Sequence, residues 1–70
     1  MTEAHIEIRE YPIKLGQFLK LAEIVQDGLE AKFMILEGEI RVNGEIETRR
    51  GRKLVKNDCV EAGGNSYICS

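Results

Sequence analysis

The sequence predicts an α+β fold, in which two packed helices at about residues 15–25 and 29–37 lie against a small, mostly antiparallel sheet of four to five strands. Three observations predict it. Leu15, Phe18, Leu19, Ala22 and Val25 recur at i, i+3, i+4, i+7 and i+10, one face of a helix. A second helical pattern from Leu29 stops at Glu37-Gly38, where glycine is suited to the C-terminal cap. Ile40-Arg41-Val42 then alternates with period two and runs into Asn43-Gly44, a strong hairpin signal.

The elements follow in chain order. His5-Ile6-Glu7-Ile8-Arg9 alternates polar and apolar and reads as a short half-buried strand, with His5 on its polar side. Tyr11-Pro12 interrupts it, since proline donates no ladder hydrogen bond. After the first helix, Gln26-Asp27-Gly28 supplies a stop, and Asp27 is placed to cap the second helix. In that helix Leu29, Phe33 and Leu36 share a face that Ala31, Met34 and Ile35 widen, so it is expected to pack on both the first helix and the sheet. Glu45–Thr48 forms the return strand, Lys53–Val55 resumes extended structure, and Cys59–Ala62 makes another strand. Gly63-Gly64-Asn65-Ser66 turns, and Tyr67-Ile68-Cys69 closes the sheet.

Seventy residues are expected to make one domain, residues 1–70, of modest stability. No apolar run approaches the roughly 20 residues of a membrane span, and the N-terminus lacks the pattern of a signal peptide, so a cytoplasmic location is the default expectation. Cys59 and Cys69 occupy alternating apolar positions and read as reduced thiols packed in a sheet. With one histidine at the far end of the chain, no metal site is expected.

The formal charge of −2 hides a strong asymmetry. Residues 1–40 carry four basic and eight acidic side chains, whereas residues 41–56 carry six basic and two acidic. Fields at a surface are screened within about 8–10 Å at physiological salt, so a phosphate beside the middle segment responds to that segment first. Its centre is Arg49-Arg50-Gly51-Arg52-Lys53. Arginine's planar fork grips phosphate in a bidentate way, and Gly51 lets the backbone follow a curved track. The competing reading is a solvated loop that serves solubility; Arg41, Lys56 and the helix lysines tilt the balance toward polyanion binding.

Catalytic constellations are missing. No Cys/His or Ser/His pair lies close in sequence, and neither a GxxxxGK[ST] loop nor a GxGxxG motif occurs. Gly63-Gly64 is reminiscent of a sulfur carrier's diglycine, but six residues follow it, so it reads as a turn. Phe18 and Phe33 both fall on stripes read as core, which leaves no stacking platform for single strands.

The stretch Ala31-Lys32-Phe33-Met34-Ile35-Leu36-Glu37-Gly38-Glu39-Ile40-Arg41-Val42-Asn43-Gly44 resembles the core of the alpha-L RNA-binding motif. Ribosomal protein S-four, pseudouridine synthases, tyrosyl-tRNA synthetases and a heat-shock ribosome-rescue protein share that motif. Residues 13–21 and the loop 47–53 are similar to the short, stand-alone bacterial YaaA type. The resemblance spans roughly residues 13–60 and implies a non-catalytic, cofactor-free bacterial module, expected to be monomeric, that grips structured RNA such as rRNA or tRNA, with a role in ribosome biogenesis. Carried over, Lys14, Lys20 and Lys32 would bind RNA from the helical side, Arg41 and Asn43 from the strand edge, and Arg49, Arg50, Arg52 and Lys53 from the loop. Two departures stand out. Many members carry serine-arginine where this chain has Asp27-Gly28, and arginine-leucine-aspartate where it has Lys14-Leu15-Gly16. The alternative is a protein-interaction module that pairs an exposed sheet edge with a partner strand.

Overall fold

A computed structural model describes residues 2–70. Seven strands and two helices follow in the order β1 (Thr2–Ile6), β2 (Ile13–Lys14), α1 (Leu15–Leu21), α2 (Gly28–Leu36), β3 (Ile40–Val42), β4 (Glu45–Ile46), β5 (Lys53–Leu54), β6 (Cys59–Ala62) and β7 (Asn65–Cys69). The main sheet has the order β1-β7-β6-β3-β4, and β2 pairs with β5 in a separate two-stranded ladder. All pairings are antiparallel except β1 with β7, which makes the main sheet mixed. The predicted α+β arrangement of two helices and a five-stranded sheet is therefore the one observed, with β2–β5 as an addition.

Leu15, Phe18 and Leu19 of α1, Ala31 and Ile35 of α2, and Ile40, Val42, Leu54, Val60 and Cys69 from the strands are buried in one core. Three local predictions are corrected. The first strand is Thr2–Ile6, and Ile8 enters the core beyond it, with its N–H donating to the Ser70 carbonyl. The first helix ends at Leu21, because Glu23 turns left-handed at φ 60° and the Leu19 carbonyl accepts from both Ile24 and Val25 N–H. Val25 is buried as expected, but from a loop.

The third correction concerns the second helix. Leu29, Phe33 and Leu36 are 57–61% exposed, whereas Ala31 and Ile35 are fully buried. Both sets form an apolar stripe at helical spacing, and periodicity alone does not choose between them. The inward stripe carries Ala31, whose small side chain permits close approach to the neighbouring elements. Phe33 is thus not a core residue.

The turns at Asp27, Gly38 and Asn43-Gly44 follow the sequence closely, whereas Asn65 and Ser66, read as part of a turn, open β7. Asp27 Oδ1 accepts from Glu30 N–H at 2.8 Å, capping α2 at the expected place. Gly38, at φ +75°, ends the same helix. Asn43 (φ 52°) and Gly44 (φ 88°) form the two-residue turn between β3 and β4 with positive φ at both positions. Cys59 lies opposite Ile68, so Cys59 and Cys69 point to opposite faces of the sheet and stay unbridged.

Candidate functional site

The basic loop is fastened to the start of α1. Lys14, the residue before the helix, offers no side-chain cap. The orphan amides at a helix start need acceptors, and here the loop backbone supplies them. Leu15 N–H donates to the Arg52 carbonyl at 2.7 Å and Gly16 N–H to the Arg50 carbonyl at 3.1 Å. Arg52 N–H donates to the Arg49 carbonyl at 3.2 Å, closing the loop as a turn.

This latch builds a cleft of about 290 Å³ between α1, the start of α2 and the loop. Lys14, Lys20 and Arg50 bring three cations to it, and Gly16, Gln17, Gly28, Ala31 and Gly51 complete the wall. Among the described residues, none lining the cleft is acidic. Lys14 also stands directly opposite Lys53 on the β2–β5 ladder, with both residues exposed. Like charges directly opposite one another destabilise a ladder, and an anion bound between them relieves that repulsion.

The remaining predicted residues sit elsewhere. Arg49 and Arg52 converge on Glu47, which is only 6% exposed. Glu47 Oε2 accepts from Arg49 Nε at 3.0 Å and from Arg49 N–H at 3.0 Å, and Oε1 accepts from Arg52 at 2.7 Å. Those two arginines hold the Glu47 carboxyl down at about 2. Arg49 keeps a side chain 72% exposed and Arg52 one 31% exposed, so Arg49 retains more surface for a ligand. With Gly51 and Lys53 they line a shallower depression, and Gly51 also belongs to the cleft.

Arg41 lies in another depression beside Glu39 and Glu61, and it donates to the Gly44 carbonyl at 3.4 Å. Asn43 is committed to the fold: Nδ2 donates to Asp58 at 3.1 Å, and Oδ1 accepts from Cys59 N–H at 2.9 Å. Lys32 is exposed one turn along α2 from Gly28.

Sequence reasoning missed Gln17 and the roles of Gly16 and Glu47. The signal for Glu47 was its spacing from Arg49 and Arg52. It also read Phe33 as core, where the structure exposes it. As for sheet edges, β4 offers two residues and β1 the longer edge. Among the described residues no group of three His, Cys, Asp or Glu side chains is placed to hold a metal ion, and no helix is long and apolar enough to cross a membrane.

Two helices and a latched loop that gather Lys14, Lys20 and Arg50 around one cleft, on a small α+β frame, define a class of compact modules with a cationic surface. The chain belongs to the S4 domain family, whose model matches residues 6–69. It is 51% identical over 59 residues to the "Probable ribosome maturation protein RlbA" of Bacillus subtilis (strain 168), covering 84% of this chain and 83% of that protein. It is 37% identical over 54 residues to YbcJ of Escherichia coli (strain K12), covering 77% of each. The solution structure of E. coli YbcJ, described as revealing an alpha-L motif involved in RNA binding, superposes with a TM-score of 0.70 at 32% identity. That match covers 93% of this chain and 84% of YbcJ.

Proposed function

We propose that this protein is a non-catalytic module that grips structured RNA, ribosomal RNA in a maturing ribosome, through phosphate and shape contacts. The observation that carries the reading is the gathering of Lys14, Lys20 and Arg50 around one cleft that, among the described residues, no carboxylate lines. Lys53 and the exposed face of Arg49 extend that surface across Gly51. Side chains do not read the deep groove of an RNA helix easily, so recognition by backbone and shape suits a site made of lysine and arginine. The names of RlbA and YbcJ point the same way. In this reading the whole chain acts as one monomeric domain in the cytoplasm and brings RNA no chemistry of its own.

The test is binding of purified ribosomal RNA across a salt series, paired with crosslinking in cells and sequencing of the attached RNA. Affinity is expected to fall with salt at a slope of about −0.7 to −0.9 per phosphate neutralised. The Lys14→Ala/Lys20→Ala/Arg50→Ala variant is expected to flatten that slope by about three of those increments. A salt-independent affinity, or crosslinks with no enrichment of ribosomal RNA, overturns the reading.

A further inference from the structure

Helix α2 carries a second surface that the cleft does not use. Leu29, Phe33 and Leu36 are each more than half exposed, although all three are large and apolar. At 100° per residue they fall within about 60° of arc, so they form one continuous stripe. Ile46, also exposed, lies past the end of the helix, its Cγ2 3.7 Å from where a Cβ on Gly38 would stand. An apolar patch gathered on one face of a small protein marks a contact surface.

Lys32 flanks the stripe on one side, three residues from Leu29 and four from Leu36, and the acidic groove on the other side specifies the occupant. Leu29, Phe33 and Met34 share a shallow groove of about 370 Å³ with Asp27, Glu30 and Glu39. Among the described residues the groove has three carboxylates and no cation. Two of those carboxylates are fixed in place, since Asp27 accepts from Glu30 N–H and Glu30 accepts from Gln26 N–H, each at 2.8 Å. Glu37 adds a further acid at the end of the helix.

We propose that this face docks a basic amphipathic helical segment of a partner protein, whose apolar side chains cover Leu29, Phe33 and Leu36 while its lysines and arginines meet Asp27, Glu30 and Glu39. Helix-in-groove recognition uses anchors at this spacing, and opposite charges at the rim guide the encounter. An RNA strand on the same face would bring its phosphates against the three carboxylates, and of the three stripe residues only Phe33 offers a base a stacking plane. A second copy of this chain fits no better. In a two-fold interface the same patch meets itself, so acids would face acids. Because the cleft lies on another side of α2, reached through Gly28 and Ala31, both surfaces can be occupied together. This proposal stands apart from the RNA reading.

The test measures binding of a fluorescent leucine–lysine amphipathic peptide to the full chain, with a leucine–glutamate peptide of the same pattern as its counterpart. The leucine–lysine peptide is expected to bind and its counterpart to fail. Phe33→Ser is expected to weaken binding about tenfold, as loss of one central aromatic anchor does. Glu39→Lys is expected to weaken it about threefold through charge reversal, whereas Glu3→Lys on β1 leaves it unchanged. All three side chains are exposed, so these variants keep the fold, which an unchanged Tm verifies. Equal binding of both peptides, or indifference to Phe33→Ser, overturns the proposal. So does self-association of the wild-type chain that Phe33→Ser abolishes, or a loss of ribosomal RNA binding in the folded Phe33→Ser variant, which would assign the face to nucleic acid.

Discussion

Gly16 and Arg50 are fitted to each other. The Gly16 N–H donates to the Arg50 carbonyl at 3.1 Å, and a Cβ on Gly16 would stand only 2.9 Å from Arg50 Cγ. The missing side chain at position 16 is the space in which the Arg50 side chain begins.

Gly16→Ala is therefore expected to act on the site more than on the fold. Alanine favours a helix over glycine by about 1 kcal/mol, which offsets the strain of moving Arg50. A Tm within a few degrees of wild type is expected, with ribosomal RNA affinity reduced about tenfold, the loss of one charge-assisted hydrogen bond. Equal affinity in a filter-binding series would show that Arg50 reaches phosphate from another rotamer.

Arg49 and Arg50 are expected to divide their work. Arg50→Ala lowers the salt slope by about one phosphate increment and leaves stability unchanged. Arg49→Ala mainly destabilises, because it removes hydrogen bonds from the buried Glu47 carboxylate. Salt series and urea melts on the two single variants separate the roles.

Glu47 gives the protein an acid-sensitive joint. Its carboxyl is held at about 2 in the fold, against an ordinary value of 4.5, first by the Arg49 hydrogen bonds and next by Arg52. A depressed folded pKa means that its stabilisation is complete above about pH 4.5 and is lost as the pH falls toward 2. Glu47→Gln is expected to cost about 1.5–3 kcal/mol at neutral pH and to show a shallower loss of Tm between pH 4.5 and 2. Parallel acid-unfolding curves for variant and wild type would remove Glu47 from the account.

Lys53 opposite Lys14 sets stability against binding. Lys53→Thr is expected to stabilise the fold by about 0.2–1 kcal/mol by removing the like-charge pair, while it weakens ribosomal RNA binding. A destabilised variant in urea denaturation would show that the two ammonium groups already splay apart.

The cysteines are expected to differ in reactivity. Burial, with Asp58 nearby, pushes the Cys69 thiol up to about 11, whereas Cys59 is only half-buried. Iodoacetamide is expected to label Cys59 alone in the native protein and both thiols in denaturant, as mass spectrometry reads directly. Double labelling without denaturant would mean that β7 opens readily.

Much of this fold was legible because its signals are local. Asp27 at the N-cap, Gly38 after the helix and Asn43-Gly44 in the hairpin each meet a backbone requirement set by neighbours in sequence. The end of α1 was not legible, since Glu23 carries no mark of its left-handed turn. Phe33 was misread because α2 has two apolar stripes, and the sequence does not say which one faces inward. Asn43 was expected at an RNA surface, yet its amide ties two turns together fifteen and sixteen residues apart.

By itself the sequence determined the α+β class, the positions of the turns and the density of positive charge in residues 49–53. Those follow from side-chain periodicity, backbone freedom and composition, all of which act over a few residues. Only the tertiary structure decided which cations lie together. The latch of the loop onto α1 places Arg50 at one cleft with Lys14 and Lys20, while a buried carboxylate ties down Arg52 and leaves Arg49 bonded on one side and exposed on the other. Charge along a chain becomes a field only when folding fixes which groups lie within a screening length, and that depends on contacts between residues distant in sequence.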